Sequence, residues 1–285
     1  MLNVVKEQNP DVICFQEFYT RFKGPYHTVD SLKKILNTSY YYFQPTMESK
    51  TEAIGLAIFS KYPIKNKGKI LFKDGAGNEC IYVDLKVNGK ELRVYNVHLQ
   101  SISFDKEDYT YLEKVTTDMV VENRSSKRIL KMLRAAFKER SAQVDLMKAH
   151  MNTCKTPYII AGDFNDTPAS YAVTKMTESL NNAFVKKGSG LGRTYNGEFP
   201  NFQIDYIATT KDIEVTNYHI VKAKLSKETI SNLSNNYLSL EKNNIKLFPN
   251  PIKNSGTILS DDTINLVEIF DINGRVVIQD NLSDF

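Results

Sequence analysis

Tryptophan is absent from this 285-residue chain, and only three cysteines and four histidines are present. Cys14, Cys80 and Cys154 are scattered and odd in number, and they form no Cys-x-x-Cys pair, which excludes a disulfide framework. Cys14 and Cys154 sit in or beside apolar strand-like runs and read as buried free thiols. No stretch approaches the ~18 consecutive apolar residues of a membrane span. The opening residues, MLNVVKEQNPDV, lack the basic start and apolar run of a signal peptide, so none is expected here. A strong charge of one sign is also missing. The 37 basic and 33 acidic residues leave a net +4, which does not by itself predict nucleic-acid binding. What is there is 41% hydrophobic and 25% charged, enough apolar content for a packed core and too much for a disordered chain. The length suits one large domain, or a medium domain with an appendage.

The first 225 residues read as alternating strands and helices. VICF (12–15) follows an Asn-Pro-Asp turn and has the look of a buried strand. Residues 28–37 place Val29, Leu32, Ile35 and Leu36 on one helical face. Segments 53–60, 68–72, 80–87 and 91–99 read as strands. The last two are joined by Asn88-Gly89, a hairpin signal because both residues tolerate positive φ. A helix is expected over about 121–151, with Ile129, Leu130, Leu133, Ala136 and Phe137 at core spacing. YIIAG (158–162) is a further buried strand, and 203–210 with 214–223 read as a strand pair. Composition then changes. Residues 226–243 are polar and Ser/Asn-rich, as a linker would be, and 244–285 carry short β-rich runs between Pro and Asn-Gly turns, a small all-β appendage.

Four polar clusters are expected at the C-terminal ends of predicted strands, where ligand sites gather in layered α/β proteins. Gln16-Glu17 follows VICF, and its carboxylate is a hard oxygen ligand suited to magnesium or manganese. Taken alone it also fits a solvated strand-end charge. Asn96 and His98 share one face of a strand; His98 suits contact with a phosphate oxygen, or equally a hydrogen-bonded core position. Asp163 and Asn165 project oxygens on either side of Phe164, as a site for water and a metal or phosphate would, or as a turn before Pro168. Asp205 lies inside an apolar strand, where an acid is costly unless paired or at a sheet edge.

Together and in this order, the QE, NVHL, GDFN and IDYI motifs resemble the endonuclease/exonuclease/phosphatase, or DNase-I-like, superfamily over roughly residues 4–225. The resemblance implies an α/β (α+β) fold, a four-layer α/β/β/α sandwich. It implies divalent-metal hydrolysis, with Mg or Mn, of a phosphate ester: nucleic acid, phospholipid or a small phosphoester. Glu17 matches the metal-ligating glutamate, His98 the histidine on the scissile phosphate and Asp163 the acid that positions the attacking water. Asn165 matches its phosphate- or metal-binding companion, and Asp205 the acid that orients a catalytic histidine. The implied metal set is Glu17, Asp163 and Asn165. Three departures stand out. Lys227-Glu228 falls where members carry Asp-His, with His219 a poor substitute by position. The first strand is missing, and so is the final core strand. A catalytically vestigial, exported metal- or phosphate-binding module is therefore the alternative to a phosphoesterase of intact or impaired activity.

The tail, LFPNPIKNSG followed by VEIFDINGRVV, resembles the C-terminal sorting domain of the type IX secretion system. It implies that the secretion machinery is a partner and that the chain is extracellular or at the cell surface. The stretch 123–140 carries Arg124, Lys127, Arg128, Lys131, Arg134, Lys138 and Arg140, either a groove for phosphate-rich substrates or a solvated face. A monomer is expected. The five site residues should converge within reach of one metal ion, and Glu17 and Asp163 should raise each other's pKa.

Overall fold

The chain is described from a computed structural model, over residues 1–24, 27–72, 78–102, 104–117, 123–195 and 202–221 and the tail strands. It divides into two compact units, Met1–Ala223 and Lys224–Phe285. In the first unit the elements run α1 (Leu2–Gln8), β1 (Val12–Arg21), α2 (Thr28–Leu36), β2 (Tyr40–Glu48), β3 (Glu52–Ser60), β4 (Ile64–Leu71), β5 (Glu79–Val87) and β6 (Lys90–His98). They continue with α3 (Lys106–Thr117), α4 (Asn123–Thr153), β7 (Tyr158–Asp163), α5 (Tyr171–Thr177), β8 (Asn181–Asn182), α6 (Ala183–Lys187) and β9 (Asp205–Thr209). One sheet has the order β1-β3-β2 and the other β4-β5-β6-β7-β9-β8.

The side-chain period of two along each strand sorts apolar residues into three clusters. Leu56 and Ile58 of β3 meet Ile81, Val83 and Leu85 of β5 and Val94 of β6 between the sheets. Ala57 and Phe59, one step out of phase, pack with Leu32 and Leu36 of α2 on the outer face of the smaller sheet. On the outer face of the larger sheet, Tyr95, Val97 and Ile160 meet Val144, Met147 and Met151 of α4 and Val173 and Met176 of α5. Helices therefore cover both outer faces, giving the expected four-layer sandwich. Each fully buried Leu, Ile or Phe contributes about 1.5–3 kcal/mol, so this division of faces dominates the stability of the unit.

The Asn88-Gly89 hairpin forms as expected, with φ 49° and 84° at its two central residues. β2 and α3 were not expected. The segment 214–221 forms no strand, because β8 already occupies the far edge of β9 at Ala208 and Thr209. On α4, Leu130 and Phe137 are 64% and 46% exposed. The buried stripe runs instead through Ile129, Ala136, Arg140, Val144, Met147 and Met151, the true 3.6-residue face. Cys80 is buried, whereas Cys14 and Cys154 are half-buried; all three are free thiols. The expected linker lies outside the described residues. In the second unit, β10 (Lys246–Phe248) pairs with β11 (Thr257–Leu259) and β12 (Leu266–Phe270) with β13 (Val276–Asn281), both antiparallel.

Candidate active site

The hairpin at Asn88-Gly89 fixes the register of β5 on β6 and thereby aligns a row of polar residues. Counting outward from Val87 opposite Lys90 brings Glu79 opposite His98. β6 runs parallel to β7, with His98 opposite Asp163. β9 runs antiparallel to β7, with Asp163 opposite Asp205. Glu79, His98, Asp163 and Asp205 thus stand side by side on four adjacent strands. Directly opposed residues point to one face, here the face that looks toward the smaller sheet. His98 and Asp163 end their strands, as expected. Asp205 begins its strand rather than ending it, and reaches the same edge because β9 runs the other way.

Gly162 makes this alignment possible. A β-carbon there would lie 2.0 Å from the carbonyl oxygen of Val97, so no other residue permits β7 to pair so closely with β6 just before Asp163.

Glu17 arrives from the opposing sheet. It was expected just after its strand, but Gln16 and Glu17 lie inside β1, at a register shift between Phe15 and Phe18. Glu17 has φ 51°, a left-handed conformation rare for a side chain of this kind. A bulge re-aims a side chain, and strained backbone of this type gathers at functional sites. The two sheets are tied at this point. The Asn96 amide donates to the carbonyls of Phe15 (2.9 Å) and Ala57 (3.0 Å), and Gln16 Nε2 donates to Asn96 Oδ1 (2.5 Å).

Beyond β7, Asn165 also has a left-handed φ of 50°. Its backbone N–H donates to Asp163 Oδ1 (2.7 Å) and its amide nitrogen to the Leu99 carbonyl (2.9 Å). That leaves Oδ1 and the second amide N–H as what the Asn165 side chain can offer. Thr194 Oγ1 accepts from the backbone N–H groups of Ile204 and Asp205 (both 3.0 Å) and fixes the start of β9.

The electrostatics are those of carboxylates gathered in poor solvation. Burial, then Asp205 and Glu17, push the Asp163 carboxyl up to about 7, against the Asn165 N–H and Arg140. Burial pushes Glu79 to about 7, with Lys69 opposing. Asp205 is raised by burial, against Thr194 and His98. Burial lowers His98 despite Glu17 and Asp205, so its imidazole is neutral at neutral pH. The charges of Glu17 and Asp205 thus reach both Asp163 and His98, and Asn165 is bonded to Asp163.

Sequence reasoning missed Glu79, although the hairpin register already placed it opposite His98. It also left Arg140 among seven cations of one helix. Arg140 is in fact buried, donating to Asp166 Oδ2 and to the Gln100 carbonyl (both 2.8 Å). Lys127, Arg128, Lys131, Arg134 and Lys138 are exposed, which favours the solvated-face alternative for them. Beside Asp205, a cavity of about 180 Å³ is shared with Tyr218. His219 lines a different cavity, and Lys227 and Glu228 lie outside the described residues.

Comparisons with known proteins agree with this fold. A family model described as the Endonuclease/Exonuclease/phosphatase family matches residues 1–231. One described as a Secretion system C-terminal sorting domain matches residues 246–284. Among solved structures, the endonuclease/exonuclease/phosphatase from Bacteroides vulgatus superposes with a TM-score of 0.50 at 17% identity, covering 74% of this chain and 77% of that one. Humanized D. rerio TDP2 gives a TM-score of 0.50 at 15% identity, covering 75% and 76%. At these identities the likeness shows the fold. Comparison with curated proteins finds none that matches.

Proposed function

The chain belongs to the endonuclease/exonuclease/phosphatase family, and from that premise we propose that it is a divalent-metal-dependent phosphodiesterase whose chemistry rests on Glu17, His98, Asp163, Asn165 and Asp205, joined by Glu79. One observation carries this reading: the row Glu79–His98–Asp163–Asp205 across four strands, faced by Glu17 on its bulge. The sorting tail marks the chain for export to the cell surface or medium, with the type IX secretion machinery as the partner it implies.

The residues fit a hard divalent cation by donor chemistry, since Glu17 and Asp163 offer carboxylates and Asn165 an amide oxygen. Magnesium commonly takes one or two carboxylates and fills its remaining positions with water and substrate phosphate. Among the described residues, no group of three or more His, Cys, Asp or Glu is gathered so as to hold a metal ion. A magnesium or manganese ion held there would neutralise charge on the phosphoryl oxygens.

The chain's own residues do the rest. Asp163 accepts a hydrogen bond from the attacking water and orients it. Neutral His98 donates to a phosphoryl oxygen, where fixed donors matter most as charge develops. Asp205, two strands from His98, holds negative charge that favours the imidazolium if a proton moves there. Glu79, with a pKa of about 7, can hold or release a proton near neutral pH, the condition for effective acid–base catalysis.

A second reading, a binding module without turnover, is favoured by one observation: among the described residues, Tyr218, Gln16 and Cys14 share the Asp205 cavity and no histidine lines it. Hydrolysis of bis(4-nitrophenyl) phosphate with magnesium, with and without EDTA, separates the two. Turnover that needs both the metal and Asp163, lost in Asp163→Ala, establishes the enzyme. Absence of turnover in a chain that still binds magnesium or inorganic phosphate establishes the module.

A further inference from the structure

A cavity of about 340 Å³ adjoins the site and is unused by the chemistry above. Its size is that of pockets that hold small organic ligands. Its walls are largely apolar, including Phe104, Leu112 of α3, and Ile129, Leu133 and Phe137 of α4. Two fastenings hold α3 in place as one wall. Arg128 pairs with Asp105 and with Asp108 (3.2 Å), and the Tyr109 and Tyr195 hydroxyls are 3.2 Å apart.

The cavity is continuous with the site, because Asn165 and Arg140 line it too. Asn165 is bonded to Asp163, and the charge of Arg140 reaches Asp163. Arg140 is 1% exposed and spends Nε on Asp166 and Nη1 on Gln100. Its Nη2 is buried without a hydrogen-bond partner among the described residues. A buried guanidinium N–H left unsatisfied is costly, and such groups in native proteins call for an explanation. An acceptor oxygen of a bound ligand supplies one. The ligand must then be amphiphilic, with oxygen at one end and an apolar body along α3 and α4. A nucleobase fits less well, since it would bring several polar edges against apolar walls.

We propose, resting on the phosphoesterase reading, that this cavity is a subsite for an aliphatic chain carried by the phosphoester, with Arg140 Nη2 receiving an oxygen of its head. The substrate class is thereby narrowed to phosphate esters bearing an alkyl or acyl chain.

Calorimetric titration of the full chain in magnesium buffer with methyl, butyl and octyl phosphate, each below its micellar concentration, tests this without requiring turnover. Octyl phosphate is expected to bind more than ~10-fold tighter than methyl phosphate, as burial of successive methylenes requires. In Leu133→Asp the octyl-to-methyl ratio should fall to near one. Phe137→Asp, at a half-exposed position that tolerates a charge, should do the same, and circular dichroism establishes that both variants fold. Equal affinity for methyl and octyl phosphate overturns the subsite. So does a chain-length gain that survives both variants, absence of binding by any of the three, or a nucleoside monophosphate that binds as tightly as octyl phosphate. Failure of the phosphoesterase reading shows separately. A chain-length gain without hydrolysis of bis(4-nitrophenyl) phosphate leaves the subsite standing, and hydrolysis without the gain removes only the subsite.

Discussion

Strands β5 and β6 carry two polar clusters that obey opposite rules. On the outer face, Arg93 donates to both oxygens of Asp84, at 2.6 and 2.8 Å. Its guanidinium also lies 4.3 Å from the Tyr82 ring centre, and its pKa rises chiefly because Asp84 accepts from it. Every strong charge there has a partner. On the inner face, Glu79 is buried at the start of β5 and Asp163 half-buried at the end of the neighbouring β7; among the described residues neither forms an ion pair, and both move to about 7. Glu79 Oε1 has no hydrogen-bond partner among the described residues. One arrangement stabilises the sheet; the other leaves electrostatic energy uncompensated, as functional sites commonly do.

The largest expected difference between the clusters is in turnover. Asp163→Ala should lower phosphodiester hydrolysis by ~10²–10⁴-fold, the typical contribution of a positioned acid or base. It should leave the melting temperature unchanged or raised. Asp84→Ala should do the reverse. It strands the largely buried Arg93 charge and should destabilise the fold by about 3 kcal/mol, with little effect on kcat in the folded fraction. Urea unfolding and initial rates on both variants check the contrast. An Asp163→Ala protein that is markedly less stable would place Asp163 among the structural charges.

The same contrast explains what could be read from the sequence. The four layers were implied by the family resemblance, while strand alternation and the helical spacing at 28–37 marked the elements that build them. The strand ends Asn96-Val97-His98 and Gly162-Asp163 were legible because polar residues interrupt apolar runs. The bulge was not, since nothing in Phe15-Gln16-Glu17-Phe18 reveals that the ladder shifts there and turns Glu17 back toward His98. β2 was hidden because its aromatic run, Tyr40–Phe43, borders Pro45, a residue that usually argues against a strand; here it sits where the pairing with β3 shifts. The burial of Arg140 was invisible because its neighbours Arg134 and Lys138 are solvated, and only the helical phase set by Val144, Met147 and Met151 turns it inward.

Smaller in effect, and sharper in sign, is the pH dependence of stability in EDTA. The folded-state pKa values of Asp163 and Glu79, both about 7, exceed those of an unfolded chain. Between the two, the folded protein binds more protons, so stability is full below the usual carboxylate range and falls as pH rises through 7. Asp205 acts in the same direction. His98, lowered by burial, acts oppositely and loses stability as pH drops below its ordinary value. The net expectation is a fall in urea midpoint from pH 5 to pH 8, flattened in the Glu79→Gln, Asp163→Asn double variant. A wild-type midpoint that rises over this range would show that the inner carboxylates are compensated after all.

Next comes the response to metal. A divalent ion that binds only the folded chain stabilises it by mass action. It does so by relieving the repulsion that Asp205 and Glu17 impose on Asp163. Millimolar magnesium or manganese should raise the melting temperature by a few degrees, roughly what 1–2 kcal/mol brings in a domain of this size. Glu17→Gln should abolish the shift, while Asp84→Asn should preserve it. A shift that survives Glu17→Gln locates the cation elsewhere.

The smallest effect is expected at Tyr218, and it decides how the Asp205 end of the row works. Tyr218 shares the cavity of Asp205, and its hydroxyl is held above its ordinary pKa by burial and then by the Asp205 charge. A phenol so raised remains protonated near neutral pH and cannot serve as a base. Its role beside Asp205 is confined to donating a hydrogen bond or excluding water. Tyr218→Phe removes the donor and keeps the ring, so turnover should fall by only about fivefold, in line with the ~1 kcal/mol of a single neutral hydrogen bond. Asp205→Asn should cost substantially more, because it removes the charge that favours a protonated His98. If Tyr218→Phe instead matches Asp205→Asn in its loss of kcat, the tyrosine carries a proton in the reaction and the two residues act as one unit.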